Sequence, residues 1–144
     1  MSGWRRAVIH LGLKSMAQIV FYGERQHLRG VRDRLSGIVH RVARRVLGLP
    51  EEKRFHRFVG LDAEDFLYPP DRSPAYVILE ISLFEGRAPE TKKALLKGLM
   101  AEISEGLGIA VEDVEITIFE TPKANWGIRG RTGDELALTY KVEV

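Results

Sequence analysis

Apolar positions recur along this chain in two rhythms, and the rhythms alternate. "AQIVFY" (17–22) is a short run of strand formers closed by Gly23. From Glu24 to Leu47 the residues Leu28, Val31, Leu35, Ile38, Val39, Val42 and Val46 return at steps of three and four, which predicts one buried face of an amphipathic helix. Arg25, Arg29, Arg32, Arg41, Arg44 and Arg45 fill the other faces, and "GLP" (48–50) stops the helix. "RFHRFVGL" (54–61) predicts a second strand. The proline-rich, acidic stretch "DAEDFLYPPDRSPA" (62–75) predicts a loop. "YVILEISLF" (76–84) is the strongest strand signal and reads as apolar on both faces. Pro89 then stands where a helix should begin, and Leu95, Leu96, Leu99, Met100, Ile103 and Leu107 form a second helical stripe. "DVEITIF" (113–119) alternates as a half-buried strand, "NWGIRGRTGDE" (125–135) predicts a glycine-rich hairpin, and "LTYKVEV" (138–144) a final strand.

The order strand–helix–strand occurs twice, as pseudo-repeats 17–61 and 76–120. "LGLPEE" (47–52) echoes "LGIAVE" (107–112), and "FYG" (21–23) echoes "FEG" (84–86). One βαβ unit is too small to bury both its faces, so the two should fuse. The expected fold is α+β: a four-stranded mixed sheet, two helices on one face, and a C-terminal hairpin. Residues 17–144 form a single domain in this reading, preceded by an extension over 1–16. The sheet's second face needs cover, and oligomerisation would supply it.

Composition narrows the chemistry. The 144 residues include no cysteine, which excludes disulfides, thiolate catalysis and zinc–thiolate sites. No run approaches the length of a membrane-spanning helix. A cytoplasmic protein without a membrane partner is expected. Net charge is +2, but residues 1–60 carry 13 Lys/Arg against 4 Asp/Glu, and residues 61–144 carry 9 against 16. Such asymmetry fits a nucleic-acid partner, or attraction between halves or subunits. The arginine helix lacks interleaved aromatics for base stacking, so nucleic acid is not the expected partner. His10, His27, His40 and His56 show no metal spacing. The acids Asp62, Glu64 and Asp65 read as a solvated loop, so neither metal nor cofactor is expected.

The stretch from "DRS" (71–73) through "EGR…ETKK", "GI…DVEITI" and "NWGIRG" resembles the tautomerase superfamily. The branch it resembles is the 4-oxalocrotonate tautomerase and malonate semialdehyde decarboxylase-like one, which includes tautomerase-like proteins without the N-terminal proline. The resemblance covers about Ala17 to the C-terminus. It implies a tautomerase/MIF-like fold, a homotrimer, and a small keto or enol carboxylate as substrate. In that family an N-terminal proline, freed by removal of methionine, is the general acid or base. An α-amine titrates near neutrality, and nearby arginines lower its pKa and stabilise negative charge developing on oxygen. Here the position holds Ala17. If the chain begins at Met1, Ala17 has only an amide; if it begins at Met16, methionine removal would leave Ala17 a primary amine. A second departure is at the paired arginines of the decarboxylase relatives: Arg87 matches one and Glu85 stands at the other, so decarboxylation is not implied.

The candidate catalytic residues are therefore Ala17 and Arg87, with Arg57, Arg72, Trp126 and Arg129 as candidate substrate contacts. Each has a structural alternative. Arg87 could pair with Glu85 or Glu90. Arg57 could face water from its strand. Arg72 could brace its loop through Asp71. Trp126 could be an aromatic plug at a subunit interface rather than, with Arg129, the wall of an anion pocket. A trimeric relative that has lost proton transfer and only binds small anions remains the second functional reading.

Overall fold

A computed structural model of the chain describes residues 16–136, so the expected extension before Met16 and the strand expected over 138–144 lie outside the described residues. The elements are β1 (Ala17–Glu24), α1 (Arg25–Leu47), β2 (Phe55–Leu61), β3 (Val77–Phe84), α2 (Pro89–Leu107), β4 (Val114–Thr121), β5 (Gly127–Ile128) and β6 (Arg131–Thr132). The first four strands form one sheet in the order β2-β1-β3-β4. β2 runs parallel to β1 and β4 parallel to β3, while β1 and β3 pair antiparallel at the centre. β5 and β6 make a separate two-stranded hairpin. The fold is the expected α+β arrangement of two βαβ units.

The periodicities account for the core. Leu28, Val31, Leu35, Val39 and Val42 of α1 and Leu95, Leu99 and Ile103 of α2 are buried against Ile19 and Phe21 of β1 and Val77, Leu79, Ile81 and Leu83 of β3. Phe21 stacks on Phe58 of β2 at 4.4 Å. The "LG" echo has a physical cause. Gly48 and Gly108 each follow a helix with φ of 72° and 68°, and each donates its N–H to a carbonyl of the last turn, on Arg44 and Ser104. That left-handed cap favours glycine. The "FYG" echo is not of this kind. β1 continues through Gly23 to Glu24, and a Cβ on Gly23 would sit 3.0 Å from Leu28 Cγ. Gly23 is needed for close approach, not for a turn.

The two faces of β3 differ. The helix side, Val77, Leu79, Ile81 and Leu83, is fully buried and apolar, while the other face carries half-buried Ile78, Glu80 and Ser82 and buried Phe84. The outer sheet face is therefore mixed, with Phe55, Val59 and Phe119 exposed among Arg57, Glu80 and Glu115.

The segments "DRS" and "DVE" prove to be two halves of one joint. Buried Asp113 accepts hydrogen bonds from the backbone N–H of Ser73 at 2.8 Å and its hydroxyl at 2.6 Å. Two residues on, Glu115 accepts from Arg72 at 3.2 Å and from the Tyr76 hydroxyl at 2.8 Å. The joint ties the 62–75 loop to the start of β4. Asp113→Ala would leave a part-buried N–H and hydroxyl unsatisfied, and is expected to lower unfolding free energy by about 2–4 kcal/mol in urea titrations. Asp113→Asn, which keeps one acceptor oxygen, should lose less.

A second polar cluster lies under α1. Ser36 Oγ and His56 Nδ1 are 2.7 Å apart, and buried His40 donates from Nε2 to the Glu51 carbonyl at 2.7 Å. Burial, reinforced by the neighbouring His40 and Arg54, lowers the His56 pKa to about 4. The unfolded chain then binds a proton near pH 6.5 that the native state refuses until about pH 4. Stability is full above pH 6.5 and falls as pH drops through that window. The expected loss is about 1–2 kcal/mol after allowing for solvent screening. Thermal melts from pH 7 to 4 should show it, and His56→Gln should flatten the slope.

Candidate active site

The end of the sheet where β1 begins is also where β3 ends, because the two run antiparallel and Ala17 pairs with Leu83. Gly86, with φ of 115°, turns the chain out of β3, and Ala88 and Pro89 start α2. This brings Arg87 to a cavity of about 430 Å³ lined by Phe84, Glu85, Gly86, Ala88, Thr91 and Lys123. Arg87 makes no ion pair with Glu85 or Glu90. Its Nη2 is buried and has no hydrogen-bond partner among the described residues. Burial lowers its pKa below the usual guanidinium value, although an arginine stays charged at any working pH. A buried cationic nitrogen without an acceptor is costly, and an anion in the cavity would remove that cost. Pro89 has no N–H, and the N–H groups of Thr91 and Lys92 donate to the Ala88 carbonyl at 3.1 and 3.2 Å, so the helix start adds the positive end of its dipole on the same side.

An apolar cluster stands beside this cavity. Met16, Phe84 and Trp126 are buried together with Ile128 packed against them, and Phe84 and Trp126 lie 4.6 Å apart. Phe84 belongs to both the cluster and the cavity wall. Ala17 is 3% exposed and joined through its nitrogen to the buried Met16. In this form of the chain the Ala17 nitrogen is an amide.

The remaining candidates are dispersed. Arg57 lies on edge strand β2 opposite Val20, exposed on the outer face, and lines a different cavity with Gln18, Arg54, Phe55 and His56. It acts there with Glu80 on Tyr22: a hydrogen bond to Glu80 raises the Tyr22 pKa, and the Arg57 charge opposes the rise. Arg72 sits beyond the opposite end of β3 from Arg87, about 25 Å of strand away. Asp71 at 2.7 Å and Glu115 at 3.2 Å engage its guanidinium, which also lies over the Tyr76 ring at 5.4 Å. Arg129 occupies the tip of the β5–β6 hairpin with φ of 55°, followed by Gly130 at 77°. It is exposed, and neither it nor Trp126 is among the described residues that line the Arg87 cavity. The acids Asp62, Glu64 and Asp65 are close enough to share an ion but are all exposed, and Asp62 pairs with Arg25 at 3.1 Å.

Two lining residues were not visible in the sequence. Lys123 is 36 positions from Arg87 and follows a proline in an ordinary-looking turn. It reaches the cavity because the parallel register sets Phe84 beside Thr121, two residues before it. Thr91 is one turn into α2 and faces the cavity by helix geometry alone.

Two βαβ units around an antiparallel centre are the α+β arrangement of the tautomerase class. The family model described as tautomerase enzyme matches residues 53–129, and the chain belongs to that family. The chain is 37% identical to a 2-hydroxymuconate tautomerase of Comamonas testosteroni over 40% of this chain and 90% of that one. It is 26% identical to the probable tautomerase YusQ of Bacillus subtilis over 69% of this chain and 87% of that one. Among solved structures, native fused 4-OT superposes with a TM-score of 0.75 at 19% identity, covering 83% of this chain and 98% of that one. A malonate semialdehyde decarboxylase inhibited by 3-bromopropiolate superposes with a TM-score of 0.72 at 24% identity, covering 85% and 96%.

Proposed function

We propose that this chain is a tautomerase-type isomerase that moves a proton between oxygen and carbon of a small keto or enol carboxylate. The observation that carries the reading is the Arg87 guanidinium, which lines a cavity with Nη2 buried and unpartnered. In the enol-to-keto direction, the hydroxyl proton leaves as C=O forms and a proton is added at carbon, so the atoms balance within the substrate. Arg87 holds the carboxylate in two-point contact, or meets the negative charge that grows on oxygen. Lys123 is the second cation of the cavity and polarises the carbonyl. The Ala17 amine is the base in a chain that starts at residue 17. Where the chain starts upstream, Glu85 is the carboxylate that lines the cavity and can hold the proton.

Oligomerisation fits this reading. Fused 4-OT relatives are described as trimers, and the outer sheet face here exposes Phe55, Val59 and Phe119 for burial between copies. A homotrimer would also bring Arg57 and Arg129 to subunit contacts.

One observation favours the second reading, a small-anion binding module without turnover. Met16 is buried against Phe84 and Trp126, and Ala17 has no free amine in that arrangement. Ketonisation of a simple enol such as phenylenolpyruvate, followed by ultraviolet absorbance, separates the two. Catalysis above the buffer rate supports the isomerase. Saturable binding of a 2-oxo carboxylate without acceleration supports the binding module.

A further inference from the structure

A second cavity, of about 440 Å³, opens between the C-terminal half of α1 and the connection to β2, and shares no lining residue with the Arg87 cavity. Arg41, Arg44, Arg45 and Arg54 line it, with Glu51 as its one acid. Glu102 of α2 accepts from Arg41 at 3.3 Å and from Arg45. That single carboxylate braces two guanidinium groups at the rim. Arg44 and Arg54 have no carboxylate partner among the described residues; Arg54 reaches only Ser36 Oγ, at 3.4 Å. After Glu51 and Glu102 are counted, two positive charges remain uncompensated.

The walls are fixed and the floor is bare. His40, 2% exposed, ties the 48–54 connection to α1 through its bond to the Glu51 carbonyl. Gly37 lies in the cavity wall, inside a helix where glycine is less favourable than alanine, and a Cβ added there would meet nothing within 4 Å. Elsewhere on α1, Arg25 is paired with Asp62 at 3.1 Å and Arg32 contacts Asp33 at 4.0 Å, while Arg29 and Arg34 are exposed with no ion pair among the described residues. Only in the cavity do four guanidinium groups line one concave site, a shape that suits a compact anion more than an extended strand.

We infer that this cavity is a binding site for a small polyanion built on a phosphate chain, pyrophosphate or a nucleoside diphosphate in chemistry. Forked guanidinium groups from two elements suit several phosphate oxygens at once, whereas a single carboxylate would satisfy only one of them.

The test is calorimetric titration of the full chain with pyrophosphate and, separately, with ADP, at low and physiological salt. Saturable binding with one site per chain is expected, weakening as salt rises. Tighter binding of ADP would mark a nucleotide and equal binding the bare phosphate chain, and either result supports the assignment. The double variant Arg44→Ala/Arg54→Ala should weaken binding by about tenfold or more without changing phenylenolpyruvate turnover or the affinity for a 2-oxo carboxylate. Gly37→Leu should block binding by filling the cavity while keeping or raising thermal stability. The assignment is overturned if pyrophosphate fails to bind at millimolar concentration. It is equally overturned if neither variant changes the affinity, or if only oligonucleotides bind, with affinity growing with their length.

Discussion

Arg87→Met is expected to cut kcat/KM for an enol carboxylate by about 10²–10³-fold while leaving the protein at least as stable as the parent. The two halves of that result come from one atom. Nη2 of Arg87 is buried without an acceptor, so the empty protein bears a desolvation cost that methionine would not. Methionine keeps the apolar stem against the cavity wall. The bound transition state is the opposite case. A charged donor aimed at developing negative charge contributes about 2.7–4 kcal/mol when it is removed from other enzymes of this electrostatic type. If Arg87 contacts the substrate carboxylate in ground and transition states alike, the loss appears in KM; if it meets the enolate oxygen, it appears in kcat. Steady-state kinetics with urea unfolding on the same preparation check both. A structural arginine would give the reverse pattern, with activity kept and stability lost.

Ala17→Pro is expected to raise turnover by about 10²-fold or more, but only in a chain whose first residue is 17. A positioned general base is commonly worth about 10²–10⁴-fold, and a secondary amine is the better base at this position. The same substitution in a chain that retains Met16 should leave turnover unchanged, because the nitrogen at 17 is then an amide. Met16 adds a steric term. It is 4% exposed, packed with Phe84 and Trp126, and Phe84 is also a wall of the Arg87 cavity. Its removal frees the nitrogen and clears space beside the cavity in one step. Intact-mass measurement of each preparation fixes the starting residue. Equal gains in both chains would show that the proton is carried elsewhere, with Glu85 the first carboxylate to replace.

Much of the fold could be read from the chain because its signals are local. The step of three and four in α1 and α2, the proline opening α2 and the glycines closing both helices each act within a few residues. Alternation alone does not say which side of β3 the helices cover, nor that its outer face mixes Ile78 and Phe84 with Glu80 and Ser82. The site was less legible because its logic is long-range. Arg72 and Arg87 look alike in sequence, each in a turn next to acids. Arg72 is neutralised by Glu115, 43 positions away, while Arg87 forms no ion pair with a carboxylate among the described residues. Lys123 enters the cavity only through the β3–β4 register. Arg57 was placed correctly on its strand, but the sheet order sends it to another cavity. The motif pieces that carried the family resemblance also mix two duties. "DRS" and "DVE" build a joint, whereas "EGR" builds the cavity.

In the proposed function the Arg87 cavity is where a small keto carboxylate binds. Chemical-shift titration of the isotope-labelled chain with pyruvate, as a minimal 2-oxo carboxylate, tests that most directly. The predicted result is saturable shifts centred on Arg87, Thr91 and Lys123, abolished by Arg87→Met. Shifts that spare these residues and gather instead on Arg44 and Arg54, or that survive Arg87→Met unchanged, would contradict it.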